Sequence, residues 1–294
     1  MHPAFSTSDS VIATLAGLNY VADEELGTAL FLMYRLQKPL LLEGPPGVGK
    51  TEAALALASL LGTKLIRLQC YEGLDVNAAV YEWNYQKQLL GIRLQEQSGL
   101  SVEEKEKHIF GNEYLLKRPL LQSIMEEVKA PVLLIDELDR SDEEFEAFLL
   151  ELLSAFQISI PELGTVKATH KPYVILTSNR TRELSDALKR RCLYQWIGYP
   201  SLEKEMDIVK RHLPGIEESL LRQVTEHVQQ FRTRKLSKVP GVSETIDWAE
   251  SLLALGHREV NRKAFERTLG AVLKSADDID MIRSEGPEAF HIAS

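Results

Sequence analysis

The chain has 294 residues, enough for two modest domains, and its 44% apolar and 26% charged content excludes a disordered polymer. Apolar runs such as Ala29 to Met33 and Pro39 to Leu42 fall far short of the ~20 residues of a bilayer-spanning helix, and Met1 to Ser10 lack the basic-then-apolar pattern of a signal peptide, so a cytoplasmic protein without a membrane span is expected. A net charge of −9 argues against nucleic acid as a partner, because affinity for phosphate backbones rests on clustered Lys and Arg. The densest basic run, Arg232 to Lys238, reads as a solvated helix terminus. Two cysteines, Cys70 and Cys192, have neither disulfide nor zinc spacing and read as ordinary buried thiols.

In chain order, residues 23–37 show helical periodicity with an acidic start, and Pro39-Leu-Leu-Leu42 reads as a strand buried on both faces. A turn from Gly44 to Thr51 leads into a helix over 52–61 closed by Gly62, and Lys64 to Leu68 forms a second strand. Residues 71–129 read as an insertion, with an aromatic cluster (Tyr71, Tyr81, Trp83, Tyr85), a charged piece at Glu103 to Lys107 and a helical stretch over 119–128. Pro131 to Ile135 resumes the sheet, Asp142 to Phe156 is an amphipathic helix, and 157–160 and 164–167 flank hairpin chemistry. Tyr173 to Thr177 is a further core strand. Beyond Pro200 only helical periodicity recurs, over 202–212, 216–234, 244–255 and 258–274, so the division predicted is an α/β unit over 1–198 and an all-helical lid over 199–294.

Gly44-Pro45-Pro46-Gly47-Val48-Gly49-Lys50-Thr51 fits the phosphate-loop pattern in its proper strand-to-helix context. Glycines let backbone N–H groups converge on phosphate oxygens, Lys50 reaches the β and γ phosphates, the Thr51 hydroxyl can ligate Mg²⁺, and Glu52 continues the contact segment into the helix. Asp136-Glu137 end a buried strand, where Asp136 can hold Mg²⁺ and Glu137 can polarise the attacking water. Asp139, Asp142, Glu143 and Glu144 read as solvated charges at a helix start. Asn179, after the next strand, can bond that water or the γ-phosphate. Arg190-Arg191 at a short helix end offer a guanidinium to a neighbouring subunit, with one of the two read as a helix-end charge.

The order GPPGVGKT (44–51), LLIDELD (133–139), QISIPELGTV (157–166), TSN (177–179), ALKRRC (187–192) and then a helical lid resembles AAA+ ATPases. The hairpin before Asn179 and the insertion resemble the MoxR family, and LIRLQCYEGLD (65–75), YEWNYQKQLL (81–90), RPLLQSI (118–124) and residues 142–165 resemble its CoxD-like branch. The resemblance, over about residues 18–275, implies a P-loop core with a parallel five-stranded sheet, ATP and Mg²⁺ as cofactors, and a homo-oligomer, most simply a hexameric ring. It further implies a chaperone-like role with a von Willebrand factor A domain protein in maturing a client metalloenzyme, such as a molybdenum hydroxylase of the carbon monoxide dehydrogenase type. Carried over, Lys50 and Thr51 serve the phosphate loop, Asp136 and Glu137 magnesium and water, Asn179 the sensor, Arg191 the trans finger in preference to Arg190, and Arg262, within Asn261-Arg262-Lys263, a second sensor. The competing readings are a DNA-directed AAA+ motor, an ATP-binding switch with little turnover, and a small-molecule P-loop kinase.

Overall fold

The computed structural model describes residues 2–95, 101, 108–290 and 292. A five-stranded sheet contains β1 (Leu40–Glu43), β2 (Leu65–Gln69), β5 (Val132–Asp136), β8 (Tyr173–Ser178) and β9 (Leu193–Trp196), in the order β2-β5-β8-β1-β9 with every neighbouring pair parallel. Successive side chains of a strand face opposite sides, so these short apolar runs feed two cores. Leu41, Leu133, Ile135, Val174 and Leu176 pack on one side, and Leu40, Leu42, Val132, Leu134 and Ile175 on the other. The second core is completed by α1 (Ser8–Gly17), α2 (Glu24–Leu36) and α3 (Lys50–Leu61). Asp23 caps α2 by accepting from the Leu26 N–H, and Gly62, at φ 58°, closes α3. Helix α1 lies outside the elements expected from the sequence. It packs on α2 across Gly27, where a Cβ would stand 2.3 Å from Ile12.

The stretch read as an insertion forms the crossover from β2 to β5. It holds α4 (Val76–Val80), β3 (Tyr81–Trp83), α5 (Tyr85–Gln95), β4 (Leu115–Lys117) and α6 (Pro119–Ile124), with β3 and β4 paired antiparallel. The helical stretch stops at Ile124 rather than 128, and α6 packs on β2 and β5. Glu103 to Lys107 lie outside the described residues. The four aromatics are not one cluster, since Trp83 is buried against Tyr81 and Phe110 while Tyr71 and Tyr85 are exposed. After β5 come α7 (Glu143–Ala155), capped by Asp142, the antiparallel hairpin β6 (Gln157–Ile160) and β7 (Gly164–Lys167), and the short α8 (Asp186–Lys189).

The remaining chain is helical: α9 (Leu202–His212), α10 (Glu218–Arg232), α11 (Val242–Ala254), α12 (Arg262–Val272) and α13 (Ala276–Glu285). Its buried residues form a core of their own around Trp248, Phe231, Phe265 and Phe290. The basic run is not simply solvated. The Arg232 side chain is only 7% exposed and grips the fully buried Glu205 with two hydrogen bonds of 2.6 and 2.7 Å, because a buried carboxylate needs a fixed partner. Arg232 also donates to the Pro240 carbonyl at 2.8 Å, and Thr245 donates to Glu205 at 2.6 Å, so α9, α10 and the start of α11 are tied together at this carboxylate. This helical unit meets the α/β part through Lys204 to Asp23 at 2.7 Å, Arg211 to the Ala16 carbonyl at 2.7 Å and the Val242 N–H to the Gly47 carbonyl at 2.9 Å. Among the described residues no helix is long and apolar enough to cross a membrane.

Candidate functional site

Strands β1, β5 and β8 are neighbours, or separated only by one another, and all run the same way, so their carboxyl ends bring Gly44 to Thr51, Asp136-Glu137 and Asn179 to one sheet edge. From β1 the chain leaves for the far-edge strand β2 and returns on the other side as β9, and ligands of open α/β sheets sit where the order reverses in this way.

In the loop, Gly47 and Gly49 have φ of 72° and 90°, a region that penalises any Cβ. Gly44 is demanded by close approach instead, since a Cβ there would lie 2.0 Å from the Ile197 carbonyl oxygen. The first N–H groups of α3 have no partner within the helix and, with its dipole, present a ready anion site. Lys50, 7% exposed, donates to the carbonyls of Gly44 (2.8 Å) and Pro45 (2.7 Å) and to Asn179 Oδ1 (2.7 Å). Burial pulls its ammonium down to about 8, against the opposing pull of Asp139, Asp136 and Glu137.

Asp136, 3% exposed, accepts from Thr51 Oγ1 at 3.1 and 3.2 Å, from Thr177 Oγ1 at 2.5 Å and from Arg67 at 2.6 Å. Arg67 and Thr177 are contacts that sequence spacing does not show, because their strands become neighbours only in the sheet. Glu137 sits at φ 54°, its N–H donating to Thr177 Oγ1 at 2.9 Å and its carboxylate receiving Arg140 at 3.1 Å. A left-handed conformation on a bulky residue costs about 1–3 kcal/mol and gathers at functional sites. Here it accompanies a side chain that is one third exposed and paired with Arg140.

Asp139 departs from the solvated acid expected. It is 3% exposed and accepts from the Asn179 N–H (3.2 Å), the Thr181 N–H (2.8 Å) and the Thr181 hydroxyl (2.7 Å). Its partners stand some forty positions later in the chain, so local sequence offers no sign of them.

Beside Gly47, Val48 and Gly49 opens a half-enclosed cleft of about 150 Å³ with apolar walls from Val21, Leu26, Ile197, Ile208 and Ile246. Tyr20, whose hydroxyl is pushed up chiefly by burial, and Glu52 also line it. A flat apolar group joined to a polyanion fits this junction of greasy wall and N–H-rich loop. The donor set also fits Mg²⁺. The Thr51 hydroxyl and the Asp136 carboxylate are hard oxygens in mutual reach, and this ion takes one or two such ligands and completes its shell with water and phosphate.

The structure does not bring every candidate here. Arg190 and Arg191 are exposed at the end of α8, where Arg191 donates to the Ala187 carbonyl at 3.1 Å. Arg262 opens α12 and pairs with Glu266 at 3.1 Å. The helical residues that meet Gly47 are instead Gly241, Ser243 and Glu244, at the start of α11. Helix α12 runs back along α11, its far end placing Lys274 by Asp247, so Arg262 lies roughly 15–20 Å along the bundle from that contact at 1.5 Å per residue.

The chain is 27% identical over 271 residues to Lon protease 1 of Bacillus subtilis, covering 88% of this chain but only 29% of that protein. It is 24% identical over 240 residues to an uncharacterized protein of Staphylococcus haemolyticus, covering 80% of this chain and 82% of the other. Among solved structures it is similar to the Thermotoga maritima RuvB Holliday junction branch migration motor, with 20% identity, a TM-score of 0.45, and coverage of 89% of this chain and 70% of that one. Residues 39–192, just over half of the chain and spanning the loop, the acidic pair, Asn179 and both arginines, match the AAA domain (dynein-related subfamily). With that match and the parallel P-loop sheet that carries it, the chain belongs to the AAA+ ATPases, within the dynein-related AAA domain family.

Proposed function

We propose that this chain binds ATP with Mg²⁺ and hydrolyses it between subunits of a ring, using the cycle to remodel a protein client. The observation that carries the reading is the convergence at one edge of Lys50 on Asn179 at 2.7 Å and of Thr51 on Asp136 at 3.1 Å, with Glu137 next along the chain. Lys50 and the loop N–H groups bind and orient the phosphates, Thr51 and Asp136 hold the metal, and the apolar cleft takes the base. Mg²⁺ bound there supplies charge neutralisation across the phosphates. Glu137 accepts a hydrogen bond from the attacking water and polarises it, while Asn179 fixes the geometry of water or γ-phosphate. Arg191, or its neighbour Arg190, serves the adjacent subunit, which accords with their exposure.

The hairpin before Asn179 and the long segment after β2 support a MoxR-type assignment, and the runs at 65–75, 81–90, 118–124 and 142–165 support its CoxD-like branch. A hexameric ring, a von Willebrand factor A domain partner and a metalloenzyme client of the molybdenum hydroxylase type follow from that assignment as proposals, and a cytoplasmic setting and a division at residues 198 and 199 are proposed from the apolar and helical patterning of the chain.

The test is Glu137→Gln against Lys50→Ala. The first is expected to keep nucleotide binding while lowering turnover by about 10²–10⁴, the scale of general-base catalysis. The second loses binding itself. Parent-level turnover by Glu137→Gln would refute the site.

A further inference from the structure

Asn179 is joined to the helix bearing Arg190 and Arg191 by a short strap, residues 179–185, and this strap is tied down at both ends by buried carboxylates that follow the acidic pair in sequence. At one end, Asp139 is 3% exposed and receives three donors, the N–H groups of Asn179 and Thr181 and the Thr181 hydroxyl, at 3.2, 2.8 and 2.7 Å. At the other, Glu146, 1% exposed, accepts from the Ser185 N–H at 2.8 Å and pairs with Arg182 at 2.5 Å, and Arg182 donates in turn to the Ser141 carbonyl at 2.8 Å. Ser185 is the N-cap of α8. The residue between the two N–H groups held by Asp139 is Arg180, at φ 57°. Such a conformation persists only where its surroundings over-determine it. Here one carboxylate grips the backbone on both sides of it.

We infer that Asp139 is a positioning residue for the reaction, acting through Asn179: by holding the strap where it leaves β8 it places Asn179 relative to the segment bearing Glu137. Both Asp139 carboxylate oxygens are engaged by the strap. Its carboxylate holds the Asn179 backbone while the side-chain oxygen of Asn179 faces Lys50. A buried anion is expensive to keep without cationic pairing, and the three donors offset that cost at the one place where the strap must leave β8 at a fixed angle.

The inference rests on the ATPase reading, and its test separates the two. In Asp139→Asn one acceptor oxygen becomes an NH₂ that cannot receive the strap N–H groups. Turnover at saturating Mg-ATP is expected to fall by about 10²-fold, the scale of an ångström-size misplacement, with nucleotide affinity changed by less than about twofold, which a general loss of structure would not leave intact. In an Asn179→Ala background the same change is expected to cost nothing further. Equal losses in both backgrounds, or unchanged turnover, would overturn the role. If Asp139→Asn does not fold, Thr181→Val removes a single donor and is expected to give a smaller fall with the same non-additivity, and no fall would likewise overturn it. A folded parent without turnover refutes the ATPase reading alone. The positioning is then read from hydrogen exchange at the Asn179 and Thr181 amides, which Asp139→Asn is expected to speed by about tenfold, the scale of one lost hydrogen bond, and an unchanged rate would overturn it.

Discussion

Lys50 is held by three oxygen acceptors in a site from which water is largely excluded, and burial brings its ammonium down to about 8. Bound phosphate favours the charged form, so nucleotide affinity is expected to be flat below about pH 8 and to fall above it by up to about tenfold per pH unit. Titration of a fluorescent ATP analogue across that range measures this, and a flat profile would contradict it. Stability of the nucleotide-free chain moves the other way. Between about 8 and the ordinary lysine value of 10.5 the unfolded chain holds the proton that the folded one has released, so this contribution rises with pH across that window. The charge of Lys50 was legible from the loop motif, but its contact with Asn179 was not, since 129 positions separate them. Asp139 shows the same limit more sharply: in sequence it is one acid among several, and only the pairing of β5 with β8 brings its donors to it.

At the scale of elements, the phosphate loop meets the backbone of the helical unit at Gly241 and Val242. Gly241 stands where a Cβ would meet Gly47 Cα and the Pro46 carbonyl oxygen at 2.8 Å, and the Val242 N–H donates to the Gly47 carbonyl. Gly241→Ala is therefore expected to push the loop. At the usual overpacking cost of about 1–3 kcal/mol, nucleotide affinity should drop by about five- to 150-fold, as read by calorimetric titration, and an unchanged affinity would mean that the helices do not set the loop. Strands β1, β2, β5 and β8 were legible as short, bounded apolar runs and the hairpin from its turn residues, whereas β3, β4 and β9 were not, being three- or four-residue pieces with mixed burial. Helices α1 and α13 were not, because each offers two buried positions as anchors, Val11 and Leu15 in one, Asp278 and Ile282 in the other. Short helices with so few anchors exist by tertiary packing rather than by local pattern.

For the whole molecule, the exposed arginines at the end of α8 matter only if another subunit meets them. ATP is expected to raise the mass seen by light scattering to that of a closed ring, and mixtures of Arg191→Ala with Lys50→Ala chains should be more active than either alone, because some boundaries regain one intact loop and one intact finger. If Arg190 is the finger, the recovery follows that variant instead. A fully active monomer would refute the ring. The strand order has a consequence of another kind, in the time course of synthesis. Leu40 of β1 finds its neighbours at Ile175 and Leu193, so the strand that leads into the phosphate loop is made early and paired late. At about 5–20 residues per second, the growing chain carries this apolar strand without a partner for on the order of ten seconds. Throughout that interval its unpaired edges are open to other chains, and a ribosome stalled before residue 173 would hold a nascent polypeptide with this apolar strand still unpaired.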